Sequence, residues 1–307
     1  MSHQHTRPGR VWIPGGTFRM GSDHHYPEEA PARQATVGGF WIDPVPVTNA
    51  AFAEFVAATG HVTAAERAPD PADYPGADPA LLVPASVVFV SPPHRVDLRD
   101  HLQWWRYVPG ADWRHPYGPG TTLHGLDQHP VVHIGYDDAV AYALWAGGGL
   151  PTETEWEYAA RGAATGEYAW GDELAPDGKH MANTWQGEFP LVNLATDGYE
   201  RTSPVGAFPA NGFGLHDMIG NVWEWTTDWY ARPAAQSSCC GQPATPAEHD
   251  SYDPATPHLR IGRRVTKGGS FLCAPNYCRR YRPPARMAQP VDTTTCHLGF
   301  RTVSRAP

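Results

Sequence analysis

The sequence predicts one loop-rich globular domain in which short strands mix with a few helices. Three observations carry this. Gly (31) and Pro (32) together make about a fifth of the 307 residues, well above the usual share. A disordered chain of that kind is poor in aromatics, whereas this one has 12 Trp, 13 Tyr and 10 Phe and can bury large rings. No linker-like shift in composition and no internal repeat divides the 307 residues, a length that suits one large domain. Aromatics, with bound ions as a second means, would pin the irregular backbone.

The elements follow in order. Residues 1–9 read as a flexible tail and 10–307 as the domain. Residues 11–20 read as a strand, a Pro14-Gly15-Gly16 turn and a second strand, and Phe40-Trp41-Ile42 as another short strand. Thr48 caps a helix that runs to about residue 59, with Phe52, Phe55 and Val56 on one face and Gly60 ending it. Residues 68–80, rich in Pro and Asp, are a loop, and Trp104, Trp105 and Trp113 mark a second irregular stretch. Residues 129–134 read as a strand, and 137–146 as an amphipathic helix with Val140 and Leu144 inward. Thr152 and Glu155 make a capping box that opens a third helix, over by Gly162. Gly, Asn, Asp and Trp then dominate 165–230, so regular structure thins out. Residues 231–260 read as a surface loop excursion, and 268–273 and 298–303 as closing strands.

Charge and hydropathy exclude several function classes. A net charge of −9 argues against a binder of nucleic acid. No apolar run approaches a membrane span, and the polar first ten residues carry no secretory signal. The expected location is therefore cytoplasmic, where thiols stay reduced. Five cysteines, an odd number, are poor evidence for a disulfide framework.

Cys273 and Cys278 are the most informative residues. They stand five apart in a glycine-led, aromatic and basic segment that runs from Lys267 to Arg282. Two thiolates are soft ligands that suit Cu(I), which accepts low coordination and a third thiolate from a substrate. Zn(II) wants four ligands, and no second pair stands nearby to supply them. Arg279 and Arg280 would favour the thiolate form. With Arg282 they make a basic cluster that leaves room for a small anionic or polar ligand. Buried structural thiols or a local disulfide are the plainer readings, and spacing alone leaves all of these open.

Two loops are rich in oxygen ligands. One holds Asn183 and Thr184 and leads to Asp197 and Tyr199; the other runs from Asp217 to Glu224. Ca(II) takes such ligands, although ordinary turns are the simpler account of these residues by themselves. His129 and His133 sit four apart on what reads as a strand, without a carboxylate at position 135, so they read as structural. Cys239 and Cys240 read as loop thiols, and His3 and His5 as a tail that binds metal adventitiously. There is no GxSxG elbow and no phosphate-binding Walker loop.

Further landmarks span residues 11–303. They include Ile13-Pro-Gly-Gly-Thr-Phe-Arg-Met-Gly21, Pro46-Val-Thr-Asn49, Asn183-Thr-Trp-Gln-Gly-Glu-Phe-Pro190, Gly220-Asn-Val-Trp-Glu-Trp225, Lys267-Gly-Gly-Ser270 and Gly299-Phe-Arg301. With these the chain resembles the aerobic formylglycine-generating enzymes of the sulfatase-modifying-factor family. Most landmarks mark the fold; the specific part is the cysteine pair in Ser-Phe-Leu-Cys-x4-Cys-x-Arg-Tyr-Arg, most like the actinobacterial branch.

The resemblance implies an α+β single domain of low regular secondary structure, related to C-type lectins. It implies a sulfatase client, still unfolded, that presents Cys-x-Pro-x-Arg. The client cysteine would be oxidised to Cα-formylglycine with O2 and a thiol reductant, by way of a thioaldehyde that hydrolyses. Cys273 and Cys278 would hold Cu(I), joined by the client thiol, and Ser270 and Trp223 match positions lining the family's active site. Asn183, Thr184, Asp197 and Tyr199 match one structural calcium site; Asp217, Gly220, Val222 and Glu224 match the second. The protein is expected to be a monomer.

Three positions depart from the family. His297 stands where many members have Asn; if that side chain helps orient oxygen or substrate, His could change the rate or its pH dependence. Cys296 beside it is an extra thiol that could oxidise or compete for copper. Ala274-Pro275 replaces a more polar pair. Three alternatives come from other classes. An iron-dependent sulfoxide synthase needs a His-x3-His-x-Glu motif that is absent here. A non-catalytic binding module of the same fold generally lacks the cysteine pair. A dithiol redox protein usually carries CxxC at a helix start.

Overall fold

A computed structural model describes residues 9–231 and 246–305. The expected tail lies outside them except for Gly9, as do 232–245 of the expected excursion, with Cys239 and Cys240.

The chain opens with β1 (Val11–Ile13), β2 (Gly16–Met20), β3 (Arg33–Val37) and β4 (Phe40–Ile42). Helix α1 (Asn49–Thr59) follows. The Thr48 hydroxyl accepts from the Ala51 amide at 3.2 Å, and Gly60 ends the helix at φ 69°. Phe52 and Phe55 are buried, and Val56 is half-buried.

Two strands pair antiparallel, with Phe89 opposite Trp105: β5 (Ala85–Phe89), and β6 (Trp105–Pro109) within the stretch expected to be irregular. Residues 129–134 do not form the expected strand. His133, at φ 62°, breaks the extended run, and its amide turns to the Thr295 carbonyl at 2.9 Å.

Helix α2 (Tyr136–Trp145) buries Ala139, Tyr142 and Ala143. Val140 is only half-buried and Leu144 is 68% exposed, against expectation. The Tyr142 ring stacks on Phe52 at 5.8 Å and sets which face turns inward. At 100° per residue, Leu144 then points away. Helix α3 (Glu153–Arg161) has the expected capping box of Thr152 and Glu155, and Gly162 closes it at φ 57°.

Residues 165–222 are irregular, as expected, until β7 (Trp223–Trp229). Then come β8 (Arg263–Lys267), β9 (Arg286–Pro290), β10 (Leu298–Gly299) and β11 (Val303–Arg305). Segment 268–273 is not a strand: Gly268 and Gly269 take φ of 95° and 73° and turn the chain out of the sheet. Of the expected last strand, Leu298–Gly299 and Val303 are strand, the latter opening β11 after a break.

Two sheets organise the domain. One has the order β1-β4-β11, so the two ends of the chain flank β4. The other has the order β10-β7-β8-β9, with β10 parallel to β7 and the rest antiparallel. The largest buried cluster joins Phe52, Tyr142, Trp223, Trp225 and Phe300 to Cys273. Another, with Phe89, Trp104, Trp185 and Phe189, meets Phe271, Leu272 and Ala274 around the cysteine turn. Each fully buried ring of this kind contributes about 1.5–3 kcal/mol.

Candidate active site

The site begins where β8 ends. A side chain at Gly268 would meet the Met218 carbonyl and Trp156 at 3.0 Å, and one at Gly269 the Arg280 carbonyl at 2.8 Å. Glycine therefore lets the chain fold back on itself. The turn that follows is fastened by backbone bonds from Cys273 to Ser270 and from Cys278 to Ala274, each 2.9 Å. It brings the Sγ atoms of Cys273 and Cys278 to 3.1 Å, and both are free thiols.

The two sulfurs are unequal. Burial pushes the Cys273 thiol well up, and Cys278 beside it adds to this. The Cys278 thiol is held down, first by its hydrogen bond with Cys273 and then by Arg280. One proton shared between the sulfurs, on the Cys273 side, accounts for both directions. Arg280 lies 3.9 Å from the Cys278 sulfur. Arg279 does not join it; its guanidinium goes to Glu167 at 3.1 Å.

The basic cluster is not a free anion site. Besides the Arg279–Glu167 pair, Arg280 meets Glu28 at 2.5 Å and Arg282 meets Glu29 at 2.6 Å. Glu28 and Glu29 come from the strap between β2 and β3 and tie it over the cysteine segment. Sequence reasoning missed these acids, which lie 112–253 residues from their partners.

Ser270 sits under the pair. Its amide reaches the Cys273 sulfur at 3.4 Å and its hydroxyl meets His297 Nδ1 at 2.9 Å. The Trp223 amide donates to the His297 carbonyl at 2.8 Å, and the Trp223 ring is buried in the same cluster as Cys273. Cys273, Cys278, Ser270, Trp223 and His297 are thus brought together. Cys296 is not part of the group. It accepts from the Phe89 amide at 3.3 Å, and burial pushes its thiol up to about 11, which favours the protonated form.

An aromatic wall adjoins the cysteines. Tyr277, between them in sequence, stacks on Phe189 at 4.6 Å, and Trp104 meets both rings edge-on. Asn276 fastens the wall through the Phe189 backbone, at 3.0 Å and 3.3 Å. Trp105 packs edge-on to His297 at 5.0 Å. Tyr277 is 39% exposed. Its place between the cysteines was the one available signal for this wall.

The first oxygen-rich set also comes together. The Asn183 amide nitrogen donates to the Arg201 carbonyl at 2.8 Å, while its buried Oδ1 has no partner. Asp197 accepts from the Tyr199 amide at 3.0 Å and from the Thr184 amide at 3.4 Å. An orphaned buried oxygen fits a hard cation. In the second set the Glu224 carboxylate already takes Arg301 at 2.7 Å and 2.8 Å and the Trp156 indole at 2.8 Å. Its charge is neutralised, so the fit of that set rests on Asp217 with the Gly220 and Val222 carbonyls. Burial pushes Asp217 up, and the Gly206 amide donates to it at 2.7 Å. The sets touch through the Asn221 amide and the Asn183 carbonyl, 2.9 Å apart.

His129 and His133 share no site. His129 meets the Thr202 hydroxyl at 3.0 Å, and His133 lies between Ser86 at 2.6 Å and the Pro116 carbonyl at 2.8 Å.

Residues 1–306 match the sulfatase-modifying factor enzyme 1-like domain. The chain is 56% identical over 297 residues to the formylglycine-generating enzyme of Mycobacterium tuberculosis, covering 96% of this chain and 97% of that one. It is 45% identical over 305 residues to that of Thermomonospora curvata, covering 98% and 94%. The structure of PvdO from Pseudomonas aeruginosa superimposes with a TM-score of 0.63 at 23% identity, covering 97% and 94%, which shows a shared fold. The protein with the thiol pair on its glycine turn belongs to the sulfatase-modifying factor family, among its formylglycine-generating enzymes.

Proposed function

We propose that this protein is a copper-dependent oxidase that converts the cysteine of a Cys-x-Pro-x-Arg motif in a sulfatase polypeptide to Cα-formylglycine. The observation that carries the reading is the pair of free sulfurs 3.1 Å apart on a preformed turn. Two soft sulfurs fit Cu(I), which tolerates low coordination. The chain offers two sulfur ligands here, and the substrate thiol would supply a third. Bound copper supplies the one-electron chemistry that lets O2 react at a C–H bond.

The chain does the rest. Arg280 and the Ser270 amide hold negative charge on the sulfurs. Tyr277, exposed on one side and backed by the buried rings of Phe189 and Trp104, offers an apolar surface to an extended peptide. An extended segment can reach that surface only before the client folds. Atoms and electrons balance as follows. R–CH2–SH, O2 and two reductant thiols become R–CHO, H2S, H2O and a disulfide. Two electrons leave the substrate carbon, two leave the reductant, and four reach O2. Calcium at the Asn183 set, and beside Asp217, ties loops that lack regular structure.

The test is mass spectrometry of a peptide bearing the motif after incubation with the monomeric protein, Cu(I), O2 and a thiol reductant. Conversion of its cysteine to an aldehyde is expected, with loss of activity under a copper chelator. Peptide binding without conversion, despite copper loading, would refute the oxidase and leave a binding module of the same fold.

A further inference from the structure

Tyr168 is stacked on both sides. Its ring lies 5.5 Å from that of Trp170 at an interplanar angle of 9°, and 6.3 Å from that of Tyr281 at 11°. The inner end of this stack is at the sulfurs. Tyr281 follows closely on Cys278 in the chain, is buried in the cluster that holds Cys273, and lies near enough to feel the charge of that thiol. The outer end reaches solvent, because Trp170 is only half-buried.

Tyr168 also has a place to put a proton. Its phenol hydrogen-bonds both Arg279 and Glu167, and Arg279 reaches the Tyr281 phenol as well. A guanidinium only donates and a carboxylate accepts, so the Tyr168 O–H points to Glu167. A phenol that loses an electron becomes a strong acid. Here its proton can pass to Glu167 and return when the electron is restored. Core packing alone explains buried rings; it does not explain a stack that runs from the sulfurs to solvent with a base at its middle.

We propose that Tyr168 is a one-electron relay between the surface and the thiol pair, entered at Trp170 and bridged to the sulfurs by the Tyr281 ring, and that the reductant thiols feed the reaction through it. This rests on the oxidase reading above, which needs two electrons from thiols while the client peptide occupies the cleft. Tunnelling weakens steeply with distance, so short hops between facing rings outpace one long jump. An electron leaves Tyr168 across Tyr281 for the sulfurs, and the phenol proton moves to Glu167. Trp170 refills Tyr168, the proton returns, and a thiol at the surface refills Trp170. Two passages turn two thiols into a disulfide and two protons and leave every ring unchanged.

The first test needs neither copper nor turnover. Metal-free protein is illuminated with tris(bipyridyl)ruthenium as photo-oxidant and a cobalt(III) ammine as electron sink. Closure of the thiol pair to a Cys273–Cys278 disulfide, which gives up two electrons and two protons, is read by alkylation and mass spectrometry. Tyr168→Phe, whose ring is much harder to oxidise, and Trp170→Phe should each slow closure about tenfold. Trp41→Phe, an exposed indole off the path, should leave it unchanged. The exposed Tyr277 ring is the rival entry. A rate that falls in Tyr277→Phe and holds in Tyr168→Phe overturns the relay even if the oxidase reading stands. Should Tyr168→Phe fail to fold, Glu167→Gln, which keeps a hydrogen bond and loses the base, takes its place. The second test is kinetic. With copper, peptide and O2 supplied, Tyr168→Phe should lower kcat/KM for the reductant thiol about tenfold and leave KM for the peptide unchanged. An unaltered dependence on the thiol would overturn the proposal.

Discussion

Arg282 and Glu29 meet as a two-pronged ion pair, 2.6 Å and 2.9 Å, with neither side chain exposed. The pair fastens the strap between β2 and β3 to the segment that carries both cysteines. Removing one partner strands a buried charge, at a cost of about 3–5 kcal/mol. Glu29→Ala should therefore lower the melting temperature sharply and speed alkylation of Cys278. Replacing both partners by apolar residues, Glu29→Leu with Arg282→Met, should recover much of the stability. A Glu29→Ala protein as stable as the wild type would show that the strap is not anchored there.

His133 predicts a dependence of stability on pH. Burial pulls it from 6.5 to about 4, against its bond to the Pro116 carbonyl, which acts the other way. The unfolded chain thus binds the extra proton first. Stability from this group is full above pH 6.5 and falls as the pH drops toward about 4. The loss between pH 7 and pH 5 is about 2 kcal/mol. His133→Gln should be less stable at pH 7 but lose less between the two, as read by urea unfolding. Equal losses in both proteins would contradict this assignment.

The orphaned Asn183 oxygen predicts a response to calcium. Calcium at about a hundred times its dissociation constant should add about 2.7 kcal/mol to unfolding, and a chelator should remove it. Asn183→Ala should abolish most of the shift. Asp217→Ala should remove a smaller, separate part if the second set holds its own ion. No shift in the wild type after exhaustive chelation and re-addition would rule out both.

Part of this structure was legible locally. Thr48 with Gly60, and Thr152 with Glu155 and Gly162, are signals within one helix each, and both helices stand where they point. The glycine-led cysteine segment announced itself through residue type and spacing. What failed depends on partners far away in sequence. β8 begins with two arginines, and β7 lies among Gly and Asn, so neither alternates visibly until the sheet pairs them. Leu144 looks like core until Tyr142 takes the place against Phe52. Glu28, Glu29 and Glu167 carry no motif, and their roles appear only when the fold sets them beside three arginines.

The central claim is that Cys273 and Cys278 together hold the metal that does the chemistry. The most direct measurement is X-ray absorption at the copper edge of the Cu(I)-loaded protein, before and after adding a Cys-x-Pro-x-Arg peptide without O2. Two sulfur neighbours should become three when the peptide binds. Cys273→Ala and Cys278→Ala should each lose the two-sulfur signal. Copper bound through nitrogen or oxygen, or a sulfur signal that survives both substitutions, would contradict the account.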